Sequence, residues 1–460
     1  MAWVCPPMET LVASLVPPAR RDGSASSVEA SATATAEDVA ALPVGRRMRA
    51  AYWLKHCYDH AEEGPAGDAV RLTARTALEG GMLHAPHGSL LRHECAYVLG
   101  QLRDAGAQPS LEAVLGDEGE DAMLRHECAE ALGGIGVGED ILARLATNAP
   151  AEGGQDDEAG DPAFAAHAAS VSAAAETEAD SKPAAASDGA APAAPAAPAT
   201  PPPAPASLPQ TPPTPWVVRQ TCEIARDFLQ WKVRGDENAP VVACACMLSP
   251  YNSHDPAPPD PAHASLSTAE LRAILLDTSG AMFERYRAMF SLRNRGGEEC
   301  VRALGSALVE DDSSPLLRHE VAFVLGQMQH SAALPFLAES LRRKHEHSIV
   351  RHESAEALGS LEDAWEDVEK ILTEFMHGDH DIVIRQSCEV ALDAIDYFGG
   401  LGGGEASAPQ SEGEGEGEGE GEGEEAEGDE GKKAGGAFAR EKAGQVRLHF
   451  NISDAAAKPE

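Results

Sequence analysis

Apolar residues recur in this chain at the three- and four-residue spacing of amphipathic helices. The stretch 311–328 is typical. Ser314 is a good helix N-cap, and Pro315 suits the first helical position. The apolar positions that follow form one stripe: Leu317, Val321, Val324, Leu325 and Met328. The pattern predicts a short helix with one buried face.

One phrase within these predicted helices occurs four times. An apolar residue is followed by Arg, His and Glu, and then by a short apolar stretch that runs to Gly. The four copies are Leu91–Gly100, Leu124–Gly133, Leu317–Gly326 and Val350–Gly359. His93 and His126 are 33 residues apart, as are His319 and His352. A fixed period of this length indicates a repeat protein built from helix pairs.

Plainer copies of the phrase flank each of the two pairs. Arg47–Leu54 precedes the first pair and Val218–Glu223 follows it, while Arg285–Leu292 and Ile384–Glu389 flank the second pair. In these copies the positions of His and Glu hold Met-Arg, Gln-Thr, Tyr-Arg and Gln-Ser. Each half of the chain therefore has the order plain, His-Glu, His-Glu, plain, and the repeat itself does not require His-Glu.

Each copy is expected on the second helix of a pair. The first helices are expected at Met8–Val16, Ala66–Glu79, Gln108–Gly116, Gly138–Ala146, Leu266–Asp277, Glu298–Glu310, Ala332–Arg343 and Ala364–Met376. Eight helix pairs at this period predict an all-α fold, a HEAT-repeat α-solenoid in two pseudo-symmetric halves. Single repeats of this kind cannot bury their apolar faces alone, so the end repeats should cap the stack.

Composition divides the chain into five segments. They are an N-terminal segment 1–37 with the first helix and an insertion, an N-terminal HEAT half 38–233, a Pro-rich linker 234–265, a C-terminal HEAT half 266–399, and an acidic Gly/Glu-rich tail 400–460. The stretch 148–215 is rich in Ala and Pro and splits the fourth repeat between its helices. We expect this insertion and the tail to be disordered, because they bury too little apolar surface to offset chain entropy.

The charge and the cysteines restrict the function further. The net charge of −39 argues against a nucleic-acid partner, because phosphates require Lys and Arg, and it fits a cationic partner. The nine cysteines show no paired framework, which indicates a reducing compartment. No apolar run of about 18 residues is present, so we expect no membrane span. We expect a cytoplasmic monomer, with an organelle address in residues 1–37 as the alternative.

The four His-Glu phrases bring eight metal-binding side chains into one register. They are His93, Glu94, His126, Glu127, His319, Glu320, His352 and Glu353. If the two halves face each other, these side chains converge, and imidazole and carboxylate without thiolate favour iron or manganese at two sites. Zinc is the less favoured alternative, because it seldom needs eight such donors. Carboxylates that bind no metal would hold a cationic amine.

Simpler interpretations apply to single pairs but not to the array. A solvated helix face, with Glu near the helix N-terminus, would explain one His-Glu pair. It does not explain four pairs in register beside flanking copies that lack them. The pair His345-Glu346 is out of register, and we expect it to be solvated, as we do His84 and His87. Two alternatives to redox chemistry stay open: a non-catalytic scaffold with a structural metal site, and metal-dependent hydrolysis.

With these residues the chain resembles the deoxyhypusine hydroxylases. The resemblance rests on the four Arg-His-Glu phrases, on the Leu-Gly-Gln endings of the first and third, and on the segments Asp255–Pro259, Phe283–Asn294 and Arg385–Asp393. It implies a di-iron monooxygenase that hydroxylates the deoxyhypusine side chain of translation initiation factor 5A with dioxygen and a reductant, which completes hypusine. It also implies two Fe²⁺ ions at the eight His and Glu residues, with no catalytic residue beyond the metal ligands. Which Glu bind iron and which face the substrate stays open.

Overall fold

The computed structural model describes residues 5–16, 42–148, 214–233, 251, 253–361 and 364–400, with side chains to residue 395. These residues contain sixteen α-helices and no strand. The helices are α1 Met8–Leu15, α2 Val44–Asp59, α3 Pro65–Leu83, α4 Gly88–Leu102, α5 Gln108–Gly116, α6 Ala122–Ile135, α7 Glu139–Ala146, α8 Trp216–Val233, α9 Thr268–Leu275, α10 Met282–Arg295, α11 Gly297–Glu310, α12 Pro315–Met328, α13 Leu334–Arg342, α14 Ser348–Gly359, α15 Trp365–Gly378 and α16 Ile382–Gly400. Consecutive helices pack in pairs, α1 with α2 through α15 with α16. The predicted all-α architecture of eight helix pairs is confirmed.

The predicted bounds of the first helices agree with the observed bounds to within two residues, except at α3. This helix continues past Glu79 to Leu83, through Gly80 and Gly81. A Cβ atom built on Gly80 would lie 2.8 Å from Cγ2 of Val16. Two adjacent glycines read locally as a helix end. Here they let the N-terminal helix pack directly against α3, which is a tertiary requirement.

The second helices of successive pairs lie side by side and approach one another at the glycine that ends the phrase. A Cβ atom built on Gly133 would lie 2.7 Å from Cβ of Ala225. At the matching place in the other half, one built on Gly359 would lie 2.7 Å from Cβ of Ala391. Larger residues would push the helices apart, so this spacing fixes how closely successive phrases can sit.

The Arg of the phrase fastens its helix to the neighbouring repeats. In three of the four phrases its Nε atom donates to a backbone carbonyl ten residues earlier: Arg92 to Met82 at 2.7 Å, Arg125 to Leu115 at 3.1 Å and Arg351 to Leu341 at 3.0 Å. Arg92 also pairs with Glu120 at 2.5 Å, and Arg318 pairs with Glu346 at 2.7 Å. These bidentate contacts span two repeats and hold the guanidinium in a fixed orientation. They therefore position the His and Glu that follow each Arg.

The two halves meet at both ends, so the solenoid closes into a ring. At the first seam, α8 packs against α10 and α12, and Ser314 donates a 2.7 Å hydrogen bond to Oε1 of Gln220. At the second seam, α16 packs against α2, where Arg49 forms an ion pair with Asp393. Each of these contacts involves at least one residue from a plain copy of the repeat: Gln220 at the first seam, and Arg49 and Asp393 at the second. The copies that carry His-Glu are left to face the interior of the ring.

The predicted insertion at 148–215 does split the fourth helix pair, between α7 and α8. Asn148 and Thr214 stand at its two ends and are joined by hydrogen bonds, one from the backbone N of Thr214 to the Asn148 carbonyl at 3.2 Å and one between their side chains at 3.1 Å. Residues 149–213, like 17–41 and 401–460, lie outside the described residues. The predictions of disorder for the insertion and for the tail stay predictions.

The last part of the Pro-rich linker packs against the C-terminal half. Residues 234–250 and 252 lie outside the described residues, but 253–265 run over α10 and α12 and end in a 3-10 helix, Pro261–Ser265. Ala257 is fully buried.

No helix in the described part of the chain is long and apolar enough to cross a bilayer.

Candidate metal centre

The four predicted histidines converge at the centre of the ring. Within each half the imidazole centroids are close, at 5.3 Å for His93 and His126 and 5.4 Å for His319 and His352. The distances between halves are the same, at 5.3 Å for His93 and His352 and 5.4 Å for His126 and His319. All four rings are buried. Residues from the two halves, 193 to 259 positions apart in the sequence, thus form one compact cluster.

The ring nitrogens of these histidines form no hydrogen bond of normal geometry within the described residues. This holds for both Nδ1 and Nε2 of His93, His126, His319 and His352, although carboxylate oxygens of Glu127 and Glu94 lie 3.1 and 3.4 Å from the ring nitrogens of His93. An unpaired buried polar atom costs about 1–3 kcal/mol, so native structures rarely keep even one. A cluster of such atoms on adjacent imidazoles is the arrangement expected of metal ligands.

A carboxylate lies beside the first histidine of each half. Nε2 of His93 is 3.1 Å from Oε2 of Glu127, and Nε2 of His319 is 3.6 Å from Oε2 of Glu353. In both halves the carboxylate comes from the phrase of the next repeat. His319, His352 and Glu353 each offer a ligand atom within 4.8 Å of the others, and so do His93, His126 and His319. The His–Glu contacts of the two halves thus correspond, while the second of these groups contains histidines from both halves.

His93 and His319 border a cavity that carries six carboxylates. It is lined by Tyr52, His93, Glu94, Tyr97, Glu127, Glu130, His319, Glu320, Phe323, Glu353 and Glu356. All four predicted glutamates face this space. His126 and His352 are fully buried and lie behind its wall. The structure brings together all eight residues singled out in the sequence.

Sequence reasoning missed Glu130 and Glu356. Each comes three residues after the glutamate of its own phrase and so lies one turn further on the same helix face. The equivalent positions of the other two phrases hold Tyr97 and Phe323, whose ring centroids are 6.0 Å apart. The register of the repeat contained this signal. Reading one more turn of each helix would have found a cavity with two extra carboxylates and an aromatic pair.

Tyr52, also missed, comes from a plain repeat. Its hydroxyl donates a 2.7 Å hydrogen bond to Oε2 of Glu94. Burial, followed by the charge of Glu94, raises the pKa of Tyr52 well above its ordinary value. The phenol therefore remains a donor at all physiological pH values and holds the carboxylate of Glu94 in one orientation.

Burial changes the pKa values of the glutamates and histidines around the cavity, and the resulting arrangement favours binding of a cation. The pKa of Glu130, Glu320, Glu353 and Glu356 is raised, first by desolvation and then by neighbouring carboxylates. The pKa of His126, His319 and His352 is lowered by burial and by neighbouring imidazoles. At His93 burial opposes protonation, but Glu127 and Glu94 outweigh it and raise the pKa. Crowded carboxylates without a nearby cation are unfavourable, and a bound cation removes that cost.

The chain is similar to known proteins over most of its length. A family model described as HEAT repeats matches residues 301–393, and one described as PBS lyase HEAT-like repeat matches 91–117. The deoxyhypusine hydroxylase of Danio rerio is 37% identical over 67% of this chain and 77% of its own length. That of Chaetomium globosum is 34% identical over 77% of this chain and 84% of its own.

The chain belongs to the deoxyhypusine hydroxylase family. A solved structure of human deoxyhypusine hydroxylase in complex with glycerol has a TM-score of 0.56 and 32% sequence identity, and it covers 84% of this chain and 94% of that one. Membership of this hydroxylase family argues against a non-catalytic scaffold. It also agrees with a metal site at the His and Glu cluster.

Two expectations about residues outside the site were wrong. Glu346, of the out-of-register pair His345-Glu346, is not solvated, because it accepts a bidentate contact from Arg318. His87 is only 2% exposed: its Nε2 contacts the Leu15 carbonyl at 2.7 Å and its Nδ1 contacts Arg47 at 3.0 Å. His345 is exposed, as predicted. Both errors have one cause, since each of these turn residues finds a partner in the preceding repeat, against which its own repeat is stacked.

The glutamines that end the first and third phrases hold the linker in place. Gln101 accepts a 3.0 Å hydrogen bond from the backbone N of His254, and Gln327 donates one of 3.0 Å to Ser253. Asp255 continues the segment and pairs with the buried Arg293 at 2.5 Å. The sequence interpretation of Gly-Gln as a helix end is thus incomplete. The glutamines at matching positions of the two halves, Gln101 and Gln327, thus hydrogen-bond to adjacent residues of one segment, which connects the two halves.

Proposed function

We propose that this chain hydroxylates the deoxyhypusine side chain of translation initiation factor 5A and so forms hypusine, using dioxygen, a reductant and two iron ions. One observation carries the proposal: buried, unpaired imidazole nitrogens and six carboxylates share one cavity in a chain of this hydroxylase family. The reaction converts a C–H bond to C–OH. The second oxygen atom leaves as water, which takes two electrons and two protons.

We assign three side chains of each half to one iron ion. His93, His126 and Glu127 would hold the first ion, and His319, His352 and Glu353 the second. The close approach of Glu127 to His93 and of Glu353 to His319 supports this division. A donor set of imidazole and carboxylate suits iron, and open positions on the metal let it bind and activate dioxygen. The nitrogens of His126, His319 and His352 have no hydrogen-bond partner among the described residues, so they are available without breaking a hydrogen bond.

The remaining carboxylates would bind the substrate. Deoxyhypusine is a polyamine, and the cavity wall offers Glu94, Glu130, Glu320 and Glu356 to its ammonium groups. Glu94 is already oriented by Tyr52. The rings of Tyr97 and Phe323 would cover the methylene chain and exclude water. Binding at several carboxylates fixes one carbon of the chain relative to the histidine cluster, which is the contribution of the protein to selectivity.

The proposal is tested by a hydroxylation assay with the full chain loaded with ferrous iron. The deoxyhypusine-bearing factor is incubated in air and under nitrogen, and mass spectrometry measures the gain of one oxygen atom. We expect the gain in air only, with iron bound. An equal gain under nitrogen would contradict the use of dioxygen, and cleavage of the side chain with addition of water in both atmospheres would favour metal-dependent hydrolysis. Absence of product with iron bound would leave a metal-binding scaffold.

A matched pair of variants makes the assay specific to the site. His352→Ala removes a buried imidazole of the cluster, while His345→Ala removes an exposed one seven residues earlier. We expect the first variant to lose iron and activity and the second to keep both. Loss of activity in both variants would contradict the assignment.

A further inference from the structure

The described cysteines fall into two classes. Five are buried: Cys95, Cys128, Cys222, Cys300 and Cys388. Burial raises the pKa of each of them, so they are poor nucleophiles. The other two, Cys5 and Cys57, are partly exposed. Within the described part of the chain, the thiols that solvent can reach are these two.

The two accessible thiols are also neighbours. Sγ of Cys5 lies 3.3 Å from Sγ of Cys57, although the residues are 52 positions apart. A disulfide bond is about 2.05 Å long, so a movement on the order of 1 Å would join the two sulfur atoms. Cys5 lies just before α1, and Cys57 lies in the last turn of α2. The pair therefore connects the two helices of the first repeat.

We propose that Cys5 and Cys57 are a redox-active dithiol whose oxidation to a disulfide fastens the terminal helix α1 to α2. The site lies outside the catalytic cavity, and the proposal does not depend on iron or on the hydroxylase activity. The helix it would fasten is an end of the solenoid. Leu11 and Leu15 bury its apolar face, and the carbonyl of Leu15 contacts Nε2 of His87.

The chemistry needs one external oxidant, a small-molecule disulfide such as oxidised glutathione. The thiolate of Cys5 attacks it, which forms a mixed disulfide and releases one glutathione. The thiol of Cys57 then loses its proton and attacks the Cys5 sulfur, which releases the second glutathione. Two thiols are oxidised by two electrons and one glutathione disulfide is reduced, so the step balances.

The order of the two attacks follows from the surroundings of Cys57. Burial, followed by its contact with Cys5, raises the pKa of Cys57 to about 12. Cys57 is therefore a thiol at neutral pH, and Cys5 is the group that meets the oxidant first. A disulfide here constrains the chain between α1 and α2, which disfavours local unfolding of the first repeat.

Peptide mapping of the full chain tests the pairing. The protein is incubated with oxidised glutathione or with a reductant, digested without reduction, and analysed by mass spectrometry. We expect a cross-linked peptide containing Cys5 and Cys57, lighter by two hydrogen atoms than its two parts, only after oxidation. It should be absent in Cys5→Ser and in Cys57→Ser and present in Cys300→Ser. Failure to find it with excess oxidant would overturn the proposal.

Thermal unfolding tests what the bond does. Oxidation should raise the Tm of the wild type and of Cys300→Ser by the same amount and leave the Tm of Cys5→Ser unchanged. Circular dichroism of each reduced variant verifies that it is folded. A disulfide that forms without raising the Tm would contradict the role of fastening α1.

Discussion

The four helices that carry His-Glu differ from the four plain second helices in what their side chains meet. Both groups share the apolar stripe and begin with a buried or half-buried Arg. In three of the plain helices one of the two following residues pairs with another part of the protein. Gln220 accepts from Ser314, Arg287 pairs with Asp260 at 2.9 Å, and Arg49 pairs with Asp393. In the other group the nitrogens of His126, His319 and His352 have no hydrogen-bond partner among the described residues.

This difference separates the role of the scaffold from the role of the site. The repeat requires the Arg, the apolar stripe and the closing glycine, because these make the stack. The positions after Arg are free to vary, and the plain helices use them to join the halves at the two seams. The inner helices use the same positions for groups that the protein itself does not satisfy. A ligand from outside the chain is the simplest explanation of that contrast.

The largest effect should follow from removing one histidine of the cluster. His126→Ala should lose the metal of its half and lower kcat by at least three orders of magnitude, since roughly several kcal/mol of stabilisation depends on the metal. The plain-helix variant Gln220→Ala is the matched control and should keep its metal. Metal analysis and turnover measure both. Loss of metal in Gln220→Ala would remove the distinction between the two groups of helices.

The Arg contacts common to the repeat should matter for stability. Asp379→Ala leaves Arg351 buried without its partner and should lower the free energy of unfolding by about 3 kcal/mol. Glu298→Ala breaks the exposed pair with Arg302, which solvent screens, and should leave the free energy of unfolding nearly unchanged. Urea unfolding of the two variants compares them. Similar losses would mean that the buried contact is not an anchor of the repeat.

A smaller effect is expected where a plain helix reaches into the site. Tyr52→Phe removes only the hydroxyl that orients Glu94. A hydrogen bond to a charged group is worth about 1.5–3 kcal/mol, so KM for the protein substrate should rise roughly tenfold or more while the metal content stays unchanged. Steady-state kinetics and metal analysis measure the two quantities. A fall in metal content would show that Glu94 supports the metal instead of the substrate.

The smallest effect concerns His87. It is buried like the four histidines of the cluster, but its ring nitrogens contact Arg47 and the Leu15 carbonyl. Burial lowers its pKa to about 4, below its unfolded value of about 6.5. The unfolded chain binds the extra proton, so stability is complete above about pH 6.5 and falls as the pH drops towards 4. From pH 6.5 to 5.5 the loss should be about 1 kcal/mol relative to His87→Gln, which does not titrate there. Equal pH dependence of the two proteins would contradict this prediction.

The sequence by itself determined the repeat and its contents. The helical period, the 33-residue spacing and the four phrases predicted eight helix pairs and all eight residues of the cluster, because periodicity and register are local properties. It also contained Glu130 and Glu356, one turn beyond the residues that were singled out. The resemblance of the motifs to the deoxyhypusine hydroxylases supplied the chemistry that periodicity cannot give.

The tertiary structure alone decided which buried polar groups are satisfied. Closure of the ring brings His93 within 5.3 Å of His352 and carries Tyr52 from a plain repeat to Glu94. The same long-range packing buries His87 and pairs Glu346 with Arg318. From the sequence, His87 and Glu346 were both expected to be solvated. A local pattern specifies the face of a helix on which a residue lies. The partner it meets there comes from elsewhere in the chain, and only the closed ring fixes that pairing.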